Sequence, residues 1–146
     1  MGSSISYHDQ FIFVSNKQFE RLIEFGLEVG KAGAQSTVEE GYVASLRSKA
    51  EESLRWAGLT IEKDFPSRDE RKFWARVFFD VGHLIFERKL GNQEVAFWQS
   101  SASADAYILA RMLTRSVQEE ERGWHPTTMA TLEAETWNNE NFKVRF

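Results

Sequence analysis

The sequence predicts a mainly α-helical fold: an antiparallel bundle of four to five helices, with a minor β element supplied by the N- and C-terminal segments. Three observations carry this expectation. Capping boxes of the form Ser/Thr-x-x-Gln/Glu stand ahead of apolar residues at helical spacing, glycines follow where those periods stop, and alternating β-favouring runs are confined to the two ends. At 146 residues the chain has the length of one domain, and residues 1–146 are expected to share one core.

Taken in order, Gln10-Phe11-Ile12-Phe13-Val14 is the first β-favouring run. Ser15 with Gln18 then forms a capping box, Val14 and Phe19 can staple it, and Phe19, Leu22, Ile23 and Leu27 mark a helix over 16–32. Gly26 and Gly30 lie inside that helix at i, i+4, where each costs about 1 kcal/mol relative to Ala unless a neighbouring helix packs closely there. They are read as a close-contact groove. Thr37 with Glu40 opens a second helix through Tyr42, Val43, Leu46, Ala50, Leu54 and Ala57, closed by a left-handed Gly58.

The connector 59–66 holds Thr60-Ile61-Glu62 as a candidate short strand. Ser67 with Glu70 caps the best-defined helix, 68–90, stopped by Gly91. Phe73, Trp74, Val77, Phe78, Val81, Leu84, Ile85 and Leu90 cover more than half its circumference, so it is expected to be central. Glu94-Val95-Ala96-Phe97-Trp98-Gln99 fits strand or helix, and the segment 92–117 is read as helix, because Val95, Trp98, Ala102, Asp105, Leu109, Met112 and Ser116 keep a 3-4 spacing; the alanines and serines at 100–106 let another helix approach closely, with a break near Ser100–Ser103 as the alternative. Pro126 places His125 in a loop, Thr127 or Thr128 caps a short helix to Trp137, and Phe142, Val144 and Phe146 alternate as a strand expected to pair with 10–14.

Composition narrows the function classes. Cysteine is absent, which removes disulfides, thiolate metal sites and thiol nucleophiles and fits a reducing compartment. No apolar run approaches the roughly 20 residues of a transmembrane helix, and no secretory signal layout is present, so a cytoplasmic location is expected. Met1-Gly2-Ser3-Ser4-Ile5-Ser6 fits the N-myristoylation pattern. No polybasic cluster follows as a second membrane signal, and an ordinary flexible start is the expectation. The net charge is −4, distributed as −4 over 1–70, +3 over 71–118 and −3 over 119–146. Nucleic acid is therefore not an expected partner.

No hydrolase, P-loop, dinucleotide or zinc-protease motif occurs, and no cofactor is expected. Asp80, His83 and Glu87, at i, i+3 and i+7, put two carboxylates and an imidazole on one helix face as alternative metal ligands or acid/base groups. Only one such carboxylate-x-x-His copy is present, and the simpler reading is a polar stripe paired with Arg76 and Arg88. Arg71, Lys72, Arg76, Arg88, Lys89, Arg111 and Arg115 are read as a solvated basic face, and His8 and His125 as solvated histidines.

Glu62, Asp64, Asp69, Glu70, Glu119, Glu120 and Glu121, with Trp124 as an aromatic anchor, make up a candidate surface for a basic protein partner. The expected role is that of a small acidic protein-binding protein. By size, acidity and absence of catalytic motifs, the analogy is with inhibitors of the immunity-protein or antitoxin kind. A helical metal- or small-ligand protein, and an oligomeric scaffold using Trp56 or Trp98, are the alternatives.

Overall fold

A computed structural model describes residues 2–8, 10–54, 58–86 and 97–122. The chain is mostly helical with a small three-stranded sheet. Strands β1 (Gly2–Tyr7) and β2 (Gln10–Ser15) form a hairpin, followed by α1 (Asn16–Gly33) and by α2 (Thr37–Lys49), which runs on into a π turn at Ala50–Leu54. A two-residue β3 (Leu59–Thr60) leads into the single-turn α3 (Ile61–Asp64), and the long helices α4 (Arg68–Phe86) and α5 (Phe97–Arg122) follow.

The start of the chain is a strand, which corrects the flexible start expected from its serines. Ser3, Ile5 and Tyr7 are buried and Ser4 and Ser6 half-buried, the period of two that a pleated strand imposes. Pairing of Tyr7 with Gln10 leaves a two-residue connection, and His8 has φ +52°, the left-handed conformation that tight hairpins require. The partner of 10–14 among the described residues is thus β1; the segment 142–146, expected to pair there, lies outside them. β3 adds to the other side of β1 in parallel, Ile5 opposite Leu59, giving the order β2-β1-β3. The expected strand at 60–62 is therefore displaced: Ile61 and Glu62 already belong to α3.

Capping directs the helices much as the sequence indicates. The Gln18 and Glu70 amides donate to Ser15 Oγ and Ser67 Oγ, each cap contributing about 1 kcal/mol. At α2 the box is shifted by one residue. Ser36, not Thr37, is the cap and accepts from the Glu39 amide, while the Glu39 carboxylate reaches back to the Gln35 amide. The helix expected over 92–117 is continuous from Phe97 to Arg122 and unbroken at 100–103. Residues 87–91, 92–96 and everything after 122, including the expected short helix to Trp137, lie outside the described residues.

Helix α4 is central, as its apolar circumference predicts, with Trp74, Phe78 and Val81 wholly buried. It packs antiparallel to α1, where an added Cβ on Gly26 would stand 2.6 Å from Phe78 and one on Gly30 3.1 Å from Trp74. The two glycines are the close-contact groove. On its other side α4 packs antiparallel along α5: Ser103 Oγ donates to the Gly82 carbonyl at 2.8 Å, and a Cβ on Gly82 would strike the Tyr107 ring at 2.8 Å. Ala102, Ala106 and Ala110 of α5 are buried in the same core and admit that approach. Ile5, Tyr7 and Val14 of the sheet belong to the same core as these helices, so the hairpin is anchored beside the ends of α4 and α5.

Candidate functional site

Where the hairpin turn, α3, the start of α4 and the end of α5 meet, a cleft of about 220 Å³ is lined by Tyr7, His8, Glu62, Arg71, Ser116, Glu119 and Glu120. Each residue arrives there by a local rule. Period two in β1 directs Tyr7 inward with Ile5, the tight turn places His8 beyond it, and the cap at Ser67 starts α4 so that Arg71 falls one turn in.

The chemistry of the cleft is a set of linked charged hydrogen bonds. The Tyr7 hydroxyl donates to Glu119 Oε2 at 2.5 Å, and Arg115 Nε donates to Glu119 Oε1 at 3.0 Å across one turn of α5. Arg71 Nη1 donates to the carbonyls of Phe65 and Pro66 at 3.0 and 3.2 Å, and its Nη2 donates to Glu120 Oε2 at 2.6 Å. Arg71 Nε is buried and finds no acceptor among the described residues. At the outer edge the His8 amide donates to Glu62 Oε2 at 3.1 Å, with the His8 ring nitrogen Nδ1 3.4 Å from the same oxygen. Burial, the hydrogen bond to Glu119 and the nearby carboxylates hold the Tyr7 hydroxyl well above the usual phenol range, so it is a proton donor at all physiological pH.

Exposure separates the three carboxylates. Glu119 is buried with a hydrogen bond on each oxygen, whereas Glu62 and Glu120 keep 42% and 49% of their side-chain surface in solvent. A carboxylate offers about four acceptor positions, so both retain capacity toward a group entering from outside.

The structure brings together part of the acidic surface read from sequence and separates the rest. Glu62, Glu119 and Glu120 share the cleft. Asp64 instead turns inward, its Oδ2 accepting from the Thr60 amide at 2.7 Å and its carbonyl from Lys49 Nζ, so it closes α3. Glu70 is buried in the first turn of α4, where burial raises its carboxyl above the usual range and the Lys49 and Arg71 charges oppose that rise. Asp69 is exposed beside it, Glu121 belongs to the last turn of α5, and Trp124 lies outside the described residues. Asp80 and His83 are exposed on α4, with His83 stacked on Phe79 at 6.5 Å, and Glu87 lies outside the described residues. Among the described residues no group of three or more His, Asp or Glu side chains could hold a metal ion. No helix of the described residues is long and apolar enough to cross a membrane.

Sequence reasoning missed Tyr7, His8, Arg71 and Ser116. Tyr7 was detectable from the Ser3-Ile5-Tyr7 alternation, and Arg115 with Glu119 from their i, i+4 spacing. Arg71 carries no such signal: it is 7% exposed rather than on a solvated face, and its partner Glu120 is 49 residues away. Comparison with protein-family models, with curated proteins and with solved structures gave no match, so the cleft is read on its own chemistry.

Proposed function

We propose that this chain is a protein-binding protein whose acid-rimmed cleft receives a cationic side chain of a basic partner. The observation that carries the reading is the convergence of Glu62, from α3, with Glu119 and Glu120, from the end of α5, on one cleft with two of the three carboxylates half-exposed. The hydrogen bonds of Tyr7 and Arg115 to Glu119 and of Arg71 to Phe65, Pro66 and Glu120 hold the walls of the cleft, so the rim carboxylates are presented with little loss of order on binding. A guanidinium or ammonium entering between Glu62 and Glu120 exchanges water for two charged hydrogen bonds, and the surrounding negative charge steers its approach. On this reading the protein acts by covering a basic surface of its partner, as an inhibitor of the immunity or antitoxin kind does, and performs no chemistry of its own.

The test is capture of partners from cells of the native organism at low and high salt, followed by titration of the captured basic protein. Glu62→Lys combined with Glu120→Lys is expected to weaken binding at least about tenfold, mainly through a slower association rate at low salt. An unchanged affinity, or recovery of no stoichiometric basic protein, overturns the proposal.

A further inference from the structure

The hairpin exposes an aromatic pair. Phe11 is 50% and Phe13 75% exposed, and both project from the outer face of β2, where the period of two sets them apart from the buried Gln10 and Val14. Their ring centroids are 5.1 Å apart, edge to face, so the two form one apolar surface. Ser6 and Ser4, the residues opposite them on β1, are too small to cover it.

β2 is also an edge strand: in the order β2-β1-β3 its far side has no strand beside it among the described residues. Tyr7 and Gln10 close the two-residue turn as a hydrogen-bonded pair. The alternation of an antiparallel ladder then turns the main chain of Gln10, Ile12 and Val14 toward β1 and that of Phe11 and Phe13 outward. Native edges of this kind usually carry a lysine, a proline or a bulge that blocks further pairing. Gln10–Ser15 has no charged residue and no proline, and its register with β1 runs from Gly2–Ser15 to Tyr7–Gln10 without a bulge.

We infer that β2 pairs antiparallel with β2 of a second copy of this chain, about a twofold axis at Ile12, joining the two sheets into one. In that register Phe11 stands opposite the partner subunit's Phe13 and the reverse, so the outward N–H and C=O groups of both residues find acceptors and donors, and the four rings gather on one face. An uncharged strand meets itself with no like charges opposed, whereas a basic partner finds no carboxylate on it. At about 200 Å² per phenylalanine, the exposed parts of Phe11 and Phe13 amount to about 250 Å² per copy and about 500 Å² for the pair. Stable dimers bury about 1,200 Å² or more, so this one is weak, with a Kd of about 10–300 µM. Twofold pairing consumes the edge, and assembly through β2 stops at two. The inference stands on residues separate from the acid-rimmed cleft and does not depend on it.

The test is sedimentation equilibrium of the full chain from about 5 µM to about 1 mM, with amide hydrogen exchange at both ends of that range. The average mass is expected to rise toward twice the monomer value. Over the same range the Phe11 and Phe13 amides gain at least about threefold protection, while the Ile12 amide, already bonded to β1, is protected throughout. Phe13→Lys, at an exposed position and so compatible with folding, is expected to raise the dimer Kd at least about tenfold and to leave the thermal midpoint at low concentration nearly unchanged. A monomer mass across the whole range, a rise in mass without added protection of Phe11 and Phe13, or unaltered self-association of the Phe13→Lys protein overturns the inference. Phe11 and Phe13 amides already protected at the lowest concentration overturn it too, and show the edge taken by another segment of the same chain.

Discussion

At the scale of single residues, Asp105 is the clearest departure from what a helix of this kind requires. It lies on α5 within the stripe that also holds Ala102, Leu109 and Met112, and its Oδ2 accepts from Gln18 Nε2 of α1 at 2.6 Å. Burial pushes its carboxyl up to about 6, and the Gln18 hydrogen bond opposes part of that rise. The unfolded value is near 3.9, so between about pH 4 and pH 6 the native state binds more protons than the unfolded one and stability falls as pH rises. At neutral pH that loss is complete. Asp105→Asn keeps an oxygen acceptor for Gln18 and removes the charge, so it is expected to stabilise the protein at pH 7 by about 1 kcal/mol and to change little at pH 4. Thermal melts at the two pH values check this, and a variant less stable than the parent at pH 7 refutes it. The 3-4 spacing puts Asp105 on an inward stripe from sequence alone, whereas Gln18 shows in the sequence only as half of a capping box. A partner 87 residues distant leaves no local trace.

At the scale of elements, legibility followed the range of the interaction. Helix starts at Ser15 and Ser67 were readable because a cap and its amide are three residues apart, and the groove at Gly26 and Gly30 because two costly glycines one turn apart ask for a close neighbour. The hairpin was half readable: β2 has large aromatic and β-branched residues, whereas β1 alternates serine with two apolar side chains and resembles an irregular terminus. Gly58 was anticipated as a helix stop. Its φ is indeed +81°, but a second constraint came from elsewhere, since a Cβ there would stand 2.1 Å from the Ser4 carbonyl oxygen. The parallel approach of β3 to β1 therefore needs glycine on two counts. Gly58→Ala is expected to cost more than about 2 kcal/mol, with lost protection of the β1 amides in hydrogen exchange. Gly41, helical and facing open space in α2, is the control: Gly41→Ala is expected to stabilise by about 0.5–1 kcal/mol. Equal effects at the two positions contradict the account.

Over the whole molecule, the cleft exists because the sheet and the helices share one core. The acidic residues were visible in sequence as separate clusters, yet nothing local foretold that Glu62 and Glu120 would line one cleft while Asp64 and Glu70 turned to structural duties, because that sorting depends on how α3, α4 and α5 come together around Tyr7 and Arg71. The mechanical link runs through β1. Ile5 is 0% exposed, pairs across the sheet with Ile12 on one side and Leu59 on the other, and lies in the same cluster as Trp74, Phe78 and Leu113. Its backbone is thus held by the sheet while its side chain is packed in the core that the helices share. Ile5→Ala leaves a cavity there and is expected to cost about 2–5 kcal/mol. If the hairpin were an appendage, that loss would unfold the sheet locally and leave the helical transition where it was. With one core the far-ultraviolet signal of the helices and the near-ultraviolet signal of the packed aromatics shift together, in a single transition of unchanged denaturant slope. Two separated transitions in the Ile5→Ala protein would show that the cleft is built between independently stable parts, and its geometry would then no longer be fixed by the fold.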